Sequence, residues 1–387
     1  MHVELPPHRQ GDAAAREAAD VVRSCVHCGI CLSDCPTYRL LGDELDSPRG
    51  RIYLIKGLLE DDRGEAPTRH HLDRCLGCRA CESACPSGVR YARLAGYARE
   101  RLEPGRPLLQ RGLRRLLCAV LTRPRLFAAL LGLGRGLRPA LPAALRRLVP
   151  PRRRLPPPAA AMAPATRTVL LLQGCVQPAL APEIDAAAVQ VLGRLGIRVI
   201  PVPGCCAAME HHLGRSEAAR RRIRANLERW WPLLEQGAEA LLASSSGCGA
   251  MLREYPELMQ DDPVYAERAR HLAARVRDPV ELLQATGNER LRQCLPTGAP
   301  PARRVALHEP CTLCHALHLD GAIGPLLAAR GITLSRVGDT GSCCGSAGTY
   351  SLLQPALARR LQQQRLDALQ AGQPELIATA NVGCLLH

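Results

Sequence analysis

Two cysteine runs share one spacing, Cys25-x2-Cys28-x2-Cys31-x3-Cys35-Pro36 and Cys75-x2-Cys78-x2-Cys81-x3-Cys85-Pro86. This is the thiolate pattern that holds cubane iron–sulfur clusters, and in two-cluster proteins the fourth cysteine of each run closes the other cluster. The spacing therefore predicts one [4Fe-4S] cluster on Cys25, Cys28, Cys31 and Cys85, and a second on Cys75, Cys78, Cys81 and Cys35. With 39 residues between Cys35 and Cys75, crossed ligation requires the chain to double back. Zinc sites usually separate two cysteine pairs by a loop, which fits this spacing poorly. Disulfide scaffolds are typically short and secreted. This chain has 387 residues and begins MHVELPPHRQ, without a basic segment leading into an apolar one, so a reducing cytoplasm is the expected compartment.

A second cysteine pattern occupies the other half. One copy runs Cys175-x29-Cys205-Cys206-x41-Cys248, and the next Cys311-x31-Cys343-Cys344-x39-Cys384. Adjacent cysteines suit an irregular cluster or thiol chemistry better than a regular tetrahedral site. A further iron–sulfur site on these eight residues is weighed against inert thiols. His308 with Glu309, and His211 with His212, are candidate ligands or proton relays, although single histidines near a core are more often structural. Cys118 and Cys294 fit neither pattern and read as bystanders.

Helices are expected around the first runs. Asp12 can cap one before Cys25, the apolar residues 52, 55, 58 and 59 recur at helical spacing after Ser47-Pro48-Arg49-Gly50, and another helix spans Tyr91 to Leu102. Arg49, Arg51 and Lys56 are candidates to offset cluster charge. From residue 166 strands alternate with helices: Thr168–Leu172, Ile197–Ile200 stopped by Pro201, and Ala240–Ala243. The order then returns with Val305–His308, Ile332–Leu334 and Leu376–Thr379. In both copies the cysteines stand just past strand ends, where α/β folds place binding loops. The first copy continues for tens of residues past Cys248 and the second for three past Cys384, which leaves the second lobe shortened or without its last helix. The fold class is α+β overall: a mainly helical two-cluster ferredoxin-like domain (1–100), an Arg/Pro/Leu-rich linker (101–165), and two cysteine-rich α/β half-repeats (166–300 and 301–387).

The formal charge of +15 invites a nucleic-acid reading. However, Lys56 is the only lysine, and residues 101–155 hold 14 arginines against one acid, Glu103, so most of the excess lies in the linker. Aromatic stacking platforms are scarce, with Phe127 the single phenylalanine, and no nucleic-acid partner is expected. The linker predicts amphipathic helices over Leu108–Leu121 and Arg125–Leu133, with an irregular tail after Pro150. Such helices suit either an acidic membrane surface or packing on the neighbouring domains, and no segment has the run of apolar residues a membrane span needs.

The chain resembles the iron–sulfur subunits of bacterial glycolate oxidase. The likeness rests on CVHCGICLSDCPTYRLLGDELDSPRGRIYLIK from Cys25, LDRCLGCRACESACPSGVRY from Leu72, LLQGCVQPALAPEID from Leu171, SSGCGAMLREY from Ser245, HEPCTLCHA, and CCGSAGTYSLLQP. Gly42–Asp46 with Pro48-Arg49-Gly50-Arg51 is its most specific part. The resemblance implies two [4Fe-4S] clusters on the eight cysteines named first. It also implies flavin-containing partner subunits that oxidise glycolate to glyoxylate, electron transfer toward a quinone or another acceptor, and no substrate-oxidising residue on this chain. A cytoplasmic location follows, peripheral on the inner face of the membrane if the linker docks there. Two departures stand out: Ala207 follows Cys205-Cys206 where the family has glycine, and Cys314 stands where glutamine is usual. Looser likenesses to lactate-utilisation, glycerol-3-phosphate dehydrogenase and heterodisulfide-reductase subunits keep those systems as alternatives. A basic nucleic-acid-binding protein with structural clusters is the rival of a different class.

Overall fold

The structure is a computed structural model that describes all residues except 62–64, 143–145, 147–148, 154, 156–162, 295–303 and 340. The division expected near residue 300 and part of the tail after Pro150 lie outside the described residues.

The first region is helical. Asp12 accepts from the backbone N–H groups of Ala14 and Ala15 and starts the helix Ala13–Ser24. That helix turns Ala15, Ala18, Ala19 and Val22 onto Pro48–Asp61 and Tyr91–Leu102, which contribute Ile52, Ile55, Leu58, Leu59, Leu94, Ala98 and Leu102. These apolar stripes leave the two cysteine runs as loops between helix ends. Gly50 is required at one crossing, because a Cβ there would lie 2.0 Å from the carbonyl oxygen of Glu44.

The second half holds two parallel sheets. In the first, β1 (Arg167–Leu172), β2 (Ile197–Val202), β3 (Leu241–Leu242) and β4 (Val276–Arg277) stand in the order β2-β1-β3-β4. In the second, β5 (Arg304–His308), β6 (Thr333–Leu334) and β7 (Leu376–Thr379) stand in the order β6-β5-β7. Each chain path leaves its central strand for one side and returns on the other. That reversal opens a crevice at the carboxyl ends of the strands, the place where open α/β sheets hold ligands. The first copy gains β4 from residues after Cys248, for which the short stretch after Cys384 supplies no counterpart.

One proline departs from the sequence-based expectation. β2 runs through Pro201 because it is an edge strand, so the missing N–H faces away from the ladder with β1. The helix Ser216–Glu235 continues through Pro232, where Trp230 and Leu234 are buried in the core of the first sheet. Packing there outweighs the loss of one backbone bond.

In the linker, helices Leu108–Leu121 and Pro124–Leu137 form a bent pair, with a 94° angle between Leu108–Leu121 and Pro124–Ala140. Among the described residues no single helix is long and apolar enough to cross a membrane. Leu108 and Leu109 are 81% and 86% exposed, and Leu116, Leu130, Leu133 and Leu137 are exposed as well.

Candidate iron–sulfur centres

Doubling back of the first region brings the runs together in two small cavities. One, of about 30 Å³, is walled by Cys25, Cys28, Cys31 and Cys85. The other, of about 40 Å³, is walled by Cys35, Cys75 and Cys78, and Cys81 borders both. All of these thiols are free, so nothing in the covalent structure competes for the sulfurs. Four sulfur donors around each cavity fit a thiolate-bound cubane.

The second cavity is electrostatically prepared for thiolates. Arg51 is 1% exposed and places Nη1 3.9 Å from Cys35 Sγ, while its Nη2 donates to Thr37 Oγ1 at 3.1 Å and to Asp46 Oδ1 at 3.2 Å. Asp46 is 0% exposed and also accepts from Arg74 Nη1 at 2.6 Å, with His71 Nδ1 3.0 Å away. Tyr91 donates its hydroxyl to Cys75 Sγ at 3.6 Å. Burial works against a Cys75 thiolate, yet the guanidinium groups of Arg51 and Arg99 hold that thiol below its usual value. Asp43, Asp46 and His71 bring ligand atoms within 4.8 Å of one another. Both Asp46 oxygens already serve arginines, so this group is a charge network rather than a metal site.

The structure separates the three cations singled out in the sequence. Arg51 lies beside the sulfurs, Arg49 pairs with Glu44 at 2.6 Å near the Cys31 loop, and Lys56 turns to Glu60 on its own helix at 2.6 Å. Asp46, His71, Arg74 and Tyr91 were missed. The Asp46-x4-Arg51 spacing was the available signal, since a buried arginine needs a buried acid.

The half-repeat cysteines gather into two sets at the strand ends. In the first, Cys205 lies within hydrogen-bonding reach of Cys175 and Cys206, and Cys206 within reach of Cys248. In the second, Cys343 reaches Cys311 and Cys344, and Cys344 reaches Cys384. Hydrogen bonds from Cys343 and Cys384 draw the Cys344 thiol down to about 2. In each set the sulfurs are linked pair by pair, Cys175 to Cys205 to Cys206 to Cys248 and Cys311 to Cys343 to Cys344 to Cys384, which gathers four soft donors at one sheet edge. Cys314 is buried beside Cys311 and is pushed up to about 12 by burial and then by Glu309 and Cys311. Cys118 and Cys294 join neither set; Cys118 Sγ lies 4.0 Å from the Met209 carbonyl oxygen.

Both lobes approach the cavity at Cys75. His211 and His212, on the helix after Cys206, line that cavity, and burial lowers His211 to about 4. On the other side Cys78 is close enough to Cys311 for the two thiols to repel as anions, and His315 Nδ1 lies 3.0 Å from Ser83 Oγ. His308 sits deeper, with Nδ1 2.9 Å from Thr379 Oγ1 and Nε2 without a hydrogen-bond partner among the described residues. Gly214 allows the first lobe to approach closely: at φ +73°, a Cβ there would lie 2.4 Å from the Arg99 carbonyl oxygen. The two lobes meet through Ser246 and Thr312, whose hydroxyl oxygens are 2.7 Å apart.

Residues 21–89 match the 4Fe-4S dicluster domain family, and residues 169–253 and 305–387 each match the cysteine-rich domain family. The glycolate oxidase iron–sulfur subunit of Escherichia coli K12 is 46% identical across 100% of this chain and 94% of its own length. The chain belongs to the glycolate oxidase iron–sulfur subunit family. A probable member from Bacillus subtilis 168 is 30% identical over 94% of the chain and 87% of its own length. Lactate utilization protein A of Exiguobacterium is 28% identical over 57% of the chain and 87% of its own length. In family terms, the helical region is the iron–sulfur domain and the two sheets are its repeated cysteine-rich lobes.

Proposed function

We propose that this chain is the electron-transfer subunit of a glycolate-oxidising complex. Flavin-bearing partners convert glycolate to glyoxylate, and this chain carries the electrons toward a quinone or another acceptor. The carrying observation is the pair of adjoining cavities, each bordered by sulfurs from both cysteine runs. Cys25, Cys28, Cys31 and Cys85 would hold one [4Fe-4S] cluster, and Cys75, Cys78, Cys81 and Cys35 the other. When bound, each cluster supplies one-electron exchange, which divides a flavin's two-electron delivery into single steps. Arg51 and Arg99 offset anionic charge, Tyr91 donates a hydrogen bond to a sulfur, and the helices around Ile52 and Leu94 keep water away. No residue of this chain is assigned to act on the substrate.

The proposal extends to Cys175, Cys205, Cys206 and Cys248, and to Cys311, Cys343, Cys344 and Cys384, as donors to further iron–sulfur sites. Their pairwise contacts at the strand ends support this reading. Anaerobic purification with associated partners should give about eight irons per chain if only the first region is loaded, and more if the lobes are loaded too. Added glycolate should bleach the visible absorbance and produce a low-temperature paramagnetic signal. Stoichiometric zinc without iron would end the proposal.

The bent helix pair supports peripheral contact with an anionic membrane, because its exposed leucines lie in the segment with 14 arginines and one acid. The chain is expected to float with anionic vesicles and much less with zwitterionic ones. Leu109→Asp with Leu116→Asp should weaken flotation at least tenfold, since each leucine contributes roughly 1.5–3 kcal/mol when buried. Unchanged flotation of the double variant would remove this surface from consideration.

A further inference from the structure

A third cavity, of about 270 Å³, lies where the iron–sulfur domain, the helix Leu108–Leu121 and both lobes meet. Its volume compares with the roughly 10–15 Å³ that one water needs. Cys75 forms part of one wall, so an occupant would sit beside the second set of sulfurs. Apolar walls come from Leu72, Leu76, Leu113, Leu213 and Leu353. Tyr350, only 7% exposed, also lines the cavity, and its hydroxyl is buried without a hydrogen-bond partner among the described residues. An unanswered buried hydroxyl is costly unless a ligand answers it.

The charges around the cavity point to a neutral occupant. Arg106 pairs with Asp73 at 2.6 Å and with Glu103 at 2.7 Å, and Arg114 lies 3.6 Å from Asp73 and 3.3 Å from Glu103. Arg99 donates to the carbonyl oxygens of Cys75, at 2.8 Å, and Leu72, at 3.4 Å. Arg99 and Arg106 are committed to protein acceptors, and Arg114, whose Nε has no hydrogen-bond partner among the described residues, faces the same two acids, so a free anion would compete with Asp73 and Glu103 for these cations. The outer wall indicates the route of entry: Leu113 lines the cavity and is 48% exposed, and on the same helix face stand Leu109 and Leu116. An apolar track therefore leads from the exposed leucine stripe to the sulfurs.

We propose that this cavity binds the ring of a lipid-soluble quinone beside Cys75, with the Tyr350 hydroxyl donating to one ring carbonyl. This rests on the electron-transfer reading above and names the acceptor's place. With a cluster held by Cys75, Cys78, Cys81 and Cys35, that centre would supply the ring with two electrons, one at a time, drawn in turn from the partner's reduced flavin. Two protons come from water at the cavity mouth, so that the two carbonyls become two hydroxyls and the quinone leaves as quinol.

The test uses the full, iron-loaded chain and a fluorescent quinone analogue, heptyl-hydroxyquinoline N-oxide, whose emission is quenched on binding. Saturable quenching at one site per chain is expected. Tyr350→Phe should weaken it about tenfold through loss of one hydrogen bond, Leu353→Trp should abolish it by filling the cavity, and Val264→Ser, on the exposed surface of the first lobe away from the cavity, should leave it unchanged. In parallel, dithionite bleaching of the visible absorbance reports whether the chain carries reducible centres. Reducible centres without saturable quenching, or wild-type binding in both cavity variants, would overturn the site and leave the electron-transfer reading intact. Quenching by a chain with no reducible iron would retain the ring site and remove the reading on which its redox role rests.

Discussion

Cys35→Ser is expected to strip metal from Cys75, Cys78 and Cys81, 40 to 46 residues further along the chain, while Cys25, Cys28 and Cys31 stay loaded. Cys35 follows the first run in sequence but walls the cavity of the second, and Cys85 does the converse. Iron bound by the first region should fall from about eight to about four atoms per chain. The location of the loss is decided by anaerobic alkylation followed by peptide mapping. In Cys35→Ser the thiols at 75, 78 and 81 should become reactive while those at 25, 28 and 31 remain protected, and Cys85→Ser should reverse the pattern. Exposure of Cys25, Cys28 and Cys31 in Cys35→Ser would mean that each run closes its own cluster. Because each centre ties the two runs together, either variant should also become more sensitive to protease between residues 36 and 74.

Ligand spacing is legible in a sequence because it is local, and so are helices whose start and stop chemistry is local. The helices Leu108–Leu121 and Tyr91–Leu102 match their sequence-based bounds. The repeated order of strand, cysteine and helix likewise announced two α/β lobes whose thiols collect at strand ends. Pro201 was misread as a strand stop because its tolerance depends on edge position, which is not local. The wall formed by Cys75, Tyr350 and Leu113 was equally hidden, since it joins three segments distant in the chain. Arg51 was singled out, and Lys56 was grouped with it, although Arg51 places its guanidinium beside Cys35 while Lys56 turns to Glu60. The fold decides which cations on one helix face inward.

That distinction carries the second large effect. Arg51→Met is expected to lower the reduction potential of the centre at Cys35 and Cys75 by roughly 100 mV. Reduction adds negative charge to the centre, and a buried guanidinium favours the added charge. At roughly 6 Å and an effective dielectric constant near 20, the interaction is about 2–3 kcal/mol. One-electron conversion, at about 59 mV per tenfold change, gives the stated shift. The fold should survive because Asp46 keeps Arg74 at 2.6 Å and His71 at 3.0 Å. Asp46→Ala should behave differently: it leaves Arg51 and Arg74 without their shared acid and should cost about 3–5 kcal/mol, with loss of the centre itself. Arg51→Lys separates charge from geometry, because it keeps the cation but loses the fork that bridges Thr37, Asp46 and the His71 carbonyl. A redox titration followed by paramagnetic resonance should place Arg51→Lys near the wild type and Arg51→Met well below it. If Arg51→Met retains its iron and titrates at the wild-type potential, Arg51 is a structural clamp and the charge-offset role fails.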